Sequence, residues 1–374
     1  MQALKNTLLL ILGLLICLSI CPSASAQRQI QDAAGRTVSI PDKVEHVICS
    51  GPGCLRLLTY LQAQDMIVAV DDIESRRRRF DARPYALANP QFKKMPIFGE
   101  FRGHDNPELI LSLNTLPQVI FKTYPGMGYD PQELQAKTSI PVIVLNYGNL
   151  GKMQADLEKS LRIMGKVVGK SKRAEEVIGF FNDSIQDLNQ RTADIAKNEK
   201  PTVFIGGVAF KGPHGYRSTE PGYPPFEFIN ARNMAQNLSF AGKTPRQADV
   251  AKEQIVAWDP DYLFLDLATL QLGSQASGLH QLKTDPAYRI LTAVQKGQVY
   301  GLLPYNWYTK NFGSILANAY FLGKLIYPQR FKDIDPEAKA DSIYEFLLGK
   351  PLFAEMNEMF AGLAFQRVPV NSSQ

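Results

Sequence analysis

From residue 44 onward the chain alternates short apolar runs with segments whose apolar residues recur at helical spacing, a pattern that predicts α/β units built around parallel sheets. Residues 44–48, 66–70, 119–121 and 141–145 read as strands, and 55–61, 107–113 and 132–137 as helices, each introduced by Gly, Pro or Asp. A long helical stretch follows. Leu157, Leu161 and Met164 share one face, and beyond Gly169 so do Val177, Phe181, Ile185 and Leu188, with Ser171 placed to cap the second part. After Lys200-Pro201 the alternation resumes with strands at 203–205, 262–265 and 299–302 and a helix at 253–258. The expected fold class is therefore α/β, two parallel-sheet lobes joined by a single long helix with a ligand cleft between them. The divisions are a leader over 1–26, a first lobe over 27–150, the connecting helix over 151–198, and a second lobe with C-terminal helices over 199–374.

The leader reads as a cleavable secretion signal: Lys5, an apolar stretch over 8–20, and Ala24-Ser25-Ala26 before Gln27. The stretch is shorter than the roughly 20 residues that span a bilayer, and Pro22 interrupts it. Cys21 could carry a lipid, but Ile20 stands where lipoprotein processing needs a small residue, so soluble periplasmic release is expected. Cleavage removes Cys17 and Cys21. Cys49 and Cys54 remain in an oxidising compartment, where a local disulfide and reactive or metal-ligating thiols are the two readings.

The remaining length exceeds what one core usually supports, in keeping with two lobes. Composition is that of a folded globular protein, and the net charge of +5 is spread along the chain, without the concentrated basic face that nucleic acid requires. Glu108 and Glu253 each open a helix that leads into an apolar strand, and the two units, 108–114 and 253–259, form a faint internal repeat. An acidic residue in a first helical turn is favoured by the helix dipole, which alone would explain both.

In open parallel sheets ligands bind beyond the carboxyl ends of the strands, so the loops there carry the candidates. Cys49-Ser50-Gly51-Pro52-Gly53-Cys54 follows the first strand, and Arg76-Arg77-Arg78-Arg79 follows the second, a run that reads as a solvated loop or as anion-binding forks. Arg102, His104, Tyr124 and Tyr129 come from the next loops. The second lobe offers the Gly- and Pro-rich stretch 206–225, with His214, Tyr216, Arg217 and Glu220, and the run Tyr305-Asn306-Trp307-Tyr308. Aromatic faces of this kind pack against a planar or cationic ligand, or serve as ordinary packing. Neither a nucleophile elbow nor a paired-histidine motif is present, and His46, His104, His214 and His280 are scattered, so neither an enzyme nor a bare transition-metal site is expected.

The order of these parts resembles the periplasmic receptors for iron-siderophores, haem and vitamin B12 that serve ABC importers. The resemblance rests on Asp32-Ala33-Ala34-Gly35-Arg36-Thr37-Val38, on 44–71, on Asn106-Pro107-Glu108 through Phe121, on 140–145 and on 165–176. It implies lobes that tilt only slightly about a rigid helix. It also implies a permease dimer with its ATPase subunits as partners, and Glu108 and Glu253 as the residues that dock on permease arginines. From the resemblance we expect a monomeric receptor for a metal-containing chelate, with no cofactor of its own and no metal ligands, the metal arriving inside the cargo. Arg102, His104, Tyr124, Tyr216, Arg217, Tyr305 and Trp307 are expected to face the chelate across the cleft. A receptor for a tetrahedral oxyanion such as molybdate is the alternative, and a periplasmic metallochaperone or enzyme using Cys49, Cys54 and His104 the third reading.

Overall fold

The computed structural model describes residues 26–76 and 79–370; the expected leader with Cys17 and Cys21, and Arg77 and Arg78 of the arginine run, lie outside the described residues. The first lobe opens with an antiparallel hairpin, β1 (Gln27–Gln31) and β2 (Thr37–Pro41). At its turn the fully buried Asp32 carboxylate accepts from the backbone N–H groups of Ala34 and Arg36, from the Arg36 guanidinium and from the Val144 N–H. One carboxylate thus fixes the turn and ties the hairpin to the lobe's edge strand.

The lobe's sheet contains β3 (Val47–Ser50), β4 (Val70–Asp71), β5 (Ile97–Glu100), β6 (His104–Asp105), β7 (Val119–Thr123) and β8 (Val142–Leu145). β3, β7 and β8 run parallel in the order β3-β7-β8, and β4 and β5 are parallel with β6 antiparallel at the edge. A bridge between Val47 and Ile67 joins the two groups. The central β7 is buried along its whole length, as a parallel strand covered on both faces must be. Helices α1 (Cys54–Tyr60), α2 (Pro107–Leu111) and α3 (Pro131–Thr138) fall where the apolar spacing predicts them. The strand expected over 66–70 is only Val70–Asp71, preceded by a 3-10 turn.

The stretch 151–198 is two helices rather than one. α4 (Gln154–Val167) ends before Gly169, whose φ of +71° is left-handed, and α5 (Ser171–Gln190) begins just beyond. Ser171 is the first helical residue and not the cap. The connecting element is α5, about 30 Å long at 1.5 Å per residue. Its Phe181 meets Tyr60 of the first lobe edge-on at 6.1 Å and Phe312 of the second at 5.8 Å. One hydrophobic cluster runs from Ile30 through α5 to Val370, so the lobes share a core.

In the second lobe β9 (Thr202–Gly206), β11 (Arg232–Asn233), β13 (Tyr262–Asp266) and β14 (Val299–Leu302) form a parallel sheet in the order β11-β9-β13-β14, while β10 (Ser218–Thr219) and β12 (Ala248–Asp249) make a small antiparallel ladder. α6 (Lys252–Trp258) leads into β13 as α2 leads into β7, and both strands are flanked by parallel neighbours. The faint sequence repeat is therefore a structural one. α7 (Phe312–Ile326) and α8 (Pro336–Leu348) pack together, and α8 reaches back to the first lobe, where Gln62 donates to the Leu347 carbonyl.

Candidate functional site

The carboxyl edge of the first-lobe sheet is covered by one segment of the second lobe, residues 305–311, which links β14 to α7. Arg56, fully buried in the apolar α1, donates to the carbonyls of Trp307, Tyr308 and Lys310 at 3.0 to 3.1 Å and to the Tyr147 hydroxyl. Tyr147, just beyond β8, donates to the same Lys310 carbonyl at 2.6 Å. The Tyr308 hydroxyl donates to Asp71 at the end of β4 (2.6 Å) and accepts from the Arg102 N–H beyond β5 (3.0 Å). Tyr124, beyond β7, hydrogen-bonds the Thr309 hydroxyl at 2.8 Å. The loop after β3 completes the seat. A Cβ built on Gly53, whose φ is +76°, would lie 2.2 Å from the Tyr147 ring and 2.6 Å from the Thr309 methyl. Loops following five parallel strands thus converge on one strap, whose Tyr308 and Thr309 both have left-handed backbones, φ +49° and +63°. Such conformations cost on the order of 1–3 kcal/mol each and persist only where the surroundings hold them.

The seat is rich in buried charge. Glu74 and Asp81 both pair with Arg83, and all three are buried. Tyr85 donates to Glu74 at 2.6 Å. Burial, reinforced by the charge of Glu74, pushes the Asp71 carboxyl well above the usual carboxylate range, against the opposing hydrogen bond from Tyr308. Deeper in the lobe, the fully buried Lys122 pairs with Asp105 and also donates to the Gly103 carbonyl and the Ser50 hydroxyl, tying β3, β6 and β7 together at their ligand ends.

The second-lobe face differs. Tyr305 donates to Glu220, which also pairs with Lys310 at 2.9 Å, so the strap is anchored at its own end. Asp266, at the end of β13, is fully buried with one oxygen unpartnered; burial raises it from the ordinary 3.8 to about 7, although the Ala268 N–H donates to its other oxygen.

Of the residues expected to face the cargo, Arg102 and Tyr124 lie at the strap. Tyr216, Tyr305 and Trp307 correct the expectation. Tyr216 is fully buried between Phe204 and Tyr288, Tyr305 is fully buried against Tyr223, and the Trp307 ring packs edge-on against Phe360. Their apolar bodies are worth more inside the lobe than on its face, at about 25 cal/mol per Å² buried. Arg217 is exposed on the small ladder, paired with Asp249 and the Val250 carbonyl. His104 lies outside the strap, lining a groove of about 570 Å³ with Glu108, Tyr129 and Lys137. Glu108 and Glu253 are both exposed in the first turns of α2 and α6. The Asn106 side chain caps α2, accepting from the Glu108 and Leu109 N–H groups, whereas α6 has no side-chain cap. No bond joins Cys49 and Cys54; both are free, buried thiols, and burial together with contact with Cys54 pushes the Cys49 thiol up.

At the margin of the strap, Arg76 and Arg102 both lie over the Phe101 ring, 4.6 and 5.1 Å from its centroid, with the Tyr308 ring 6.3 Å away. Arg76 also pairs with Asp72. The arrangement places two guanidinium groups and an aromatic face where solvent meets the interlobe seam. Sequence reasoning missed Arg56, Asp71, Tyr147 and the strap's Thr309 and Lys310. Arg56 alone carried a signal: one arginine inside the apolar run Cys54-Leu55-Arg56-Leu57-Leu58.

Comparison with known proteins supplies the wider setting. The molybdate-binding protein MolA of Haemophilus influenzae is 24% identical over 362 residues, covering 89% of this chain and 94% of that protein. Its structure with molybdate superposes with a TM-score of 0.64 at 19% identity over 87% of this chain and 98% of that one. The TroA-like periplasmic binding protein FepB of Veillonella parvula superposes with a TM-score of 0.65 at 22% identity, covering 86% and 96%. Both structures share the fold described above. Residues 47–305, from the first parallel strand to the base of the strap, match the family described as periplasmic binding protein, and the chain belongs to that family, the solute receptors of ABC importers.

Proposed function

We propose that the chain captures a small anion containing a metal, a tetrahedral oxyanion of the molybdate type, and delivers it to the permease of its importer. The observation that carries this reading is the direct hydrogen-bond contact between the facing lobe edges. It limits the space along the seam and sets Arg102 and Arg76 at its margin. Guanidinium forks match the oxygens of an oxyanion and hold them at short, charge-assisted distances. The similarity to MolA, named for molybdate, points the same way. The metal enters as part of the cargo.

A chelate receptor, the preference drawn from sequence, leaned on aromatic faces across the cleft, and three of those rings pack inside the second lobe. An anionic chelate keeps support from the Phe101, Tyr124 and Tyr308 rings and is the second reading. Glu108 and Glu253, exposed on the repeated helices, are the groups we assign to the permease. Calorimetric titration of the mature protein with molybdate, tungstate and sulfate, beside a ferric tris-catecholate, haem and cyanocobalamin, tests the reading. Binding of molybdate and tungstate with rejection of the chelates supports it; binding of a chelate alone reverses it.

A further inference from the structure

We infer that the strap 305–311 is the specificity-determining element of the receptor, and that the Tyr308 ring sets the size limit on the cargo. The inference rests on the reading that cargo binds along the interlobe seam. The carboxyl edge of a parallel sheet is where a ligand would find the loops of several strands at once. In the first lobe that edge is already taken. Arg56 holds the strap carbonyls of Trp307, Tyr308 and Lys310, Asp71 and the Arg102 N–H hold the Tyr308 hydroxyl, and Tyr124 holds Thr309. Groups at hydrogen-bond distance leave no layer between them for a bulky ligand.

The strap is also built to stay. Lys310 is gripped from both sides, its carbonyl by Arg56 and Tyr147 of the first lobe and its ammonium by Glu220 of the second. Asn311 closes the segment on itself by donating to the Tyr305 and Trp307 carbonyls. Two successive left-handed residues that carry side chains are an unfavourable choice for a loop that merely connects β14 to α7. Their conformation aims the Tyr308 ring at the margin where Phe101, Arg76 and Arg102 meet. What remains for cargo is the charged margin beside the ring, which suits a compact anion and excludes a chelate that must lie flat against the sheet edge.

Tyr308→Gly removes the ring while fitting the left-handed backbone, and Tyr308→Phe keeps the ring while removing both hydrogen bonds. Each is prepared as the mature chain, checked by thermal melting, and titrated with molybdate and with the ferric complex of a tris-catechol chelator. Tyr308→Gly is expected to bind the ferric chelate at least about tenfold more tightly than the parent, while Tyr308→Phe continues to reject it. A Gly variant that gains nothing, or a parent that already binds the chelate as tightly as the variant, overturns the inference. So does an equal gain in the Phe variant, because bulk would then not be what excludes. Failure of the parent to bind molybdate counts against the proposed cargo alone, since the chelate comparison is read between parent and variants.

Discussion

The two lobes share one architecture yet differ in the charge that their central strands carry. In the first lobe, Lys122 of the central strand lies against Asp105, and Arg83 lies against Glu74 and Asp81. In the second, Asp266 ends the equivalent central strand with no cation and one bare oxygen. The first lobe is a charged, pre-paired socket, and the second supplies the inserted strap and keeps its own aromatics inside. Duplicated frameworks can therefore divide the labour of a cleft, one receiving and one reaching across.

Breaking the paired side should have the largest effect. Lys122→Ala strands the Asp105 carboxylate and is expected to lower stability by about 3–5 kcal/mol, read by urea unfolding; changing both residues to apolar ones recovers most of it. Asp266 sharpens the contrast through pH. Its folded pKa of about 7 exceeds the ordinary 3.8, so between these values the folded state holds a proton that the unfolded state has released. Stability falls as pH rises from about 4 to about 7. Asp266→Asn should remove that slope, raising the melting temperature at pH 8 relative to the parent and changing it little at pH 4.

Tyr308→Phe leaves Asp71 without its donor and is expected to cost about 1–3 kcal/mol. Arg102→Ala should alter stability by less than about 0.5 kcal/mol. The same change should weaken anion binding by about tenfold at low salt and flatten its salt dependence. Equally small in stability are Glu108→Ala and Glu253→Ala, each within about 0.5 kcal/mol of the parent. Both should leave cargo affinity unchanged and reduce uptake by the reconstituted importer.

The parallel strands and the helix-to-strand repeat were readable because continuous apolar runs such as Val119-Ile120-Phe121 have one physical use, a strand covered on both faces. Val70–Asp71 was drawn too long because the apolar run before it follows a 3-10 turn over Gln64–Met66 and makes only the single Val47–Ile67 bridge. The cleft was far less legible. Tyr305 and Tyr308 are the same residue three positions apart, and only tertiary contacts send one to Glu220 in the core and the other to Asp71 across the seam. Lys122 opens a loop-like run and gave no local sign of its burial, whereas Arg56 stood out only as the one charge in an apolar run. Gly169 was noted as a division within the helical stretch, but the left-handed turn there makes two helices of what was expected to be one.

Gly53 gives the receptor a built-in gauge. Where its hydrogen lies, even one added carbon would touch both the Tyr147 ring and the Thr309 methyl. Toward the Thr309 methyl, the spacing between the halves at this point is thus trimmed to less than a methyl group needs. An alanine at this position would act as a shim, holding the molecule ajar whether or not cargo is present. Arg56 and Tyr147 would then lose their reach to the Lys310 carbonyl, and the added carbon rather than those hydrogen bonds would set the seam.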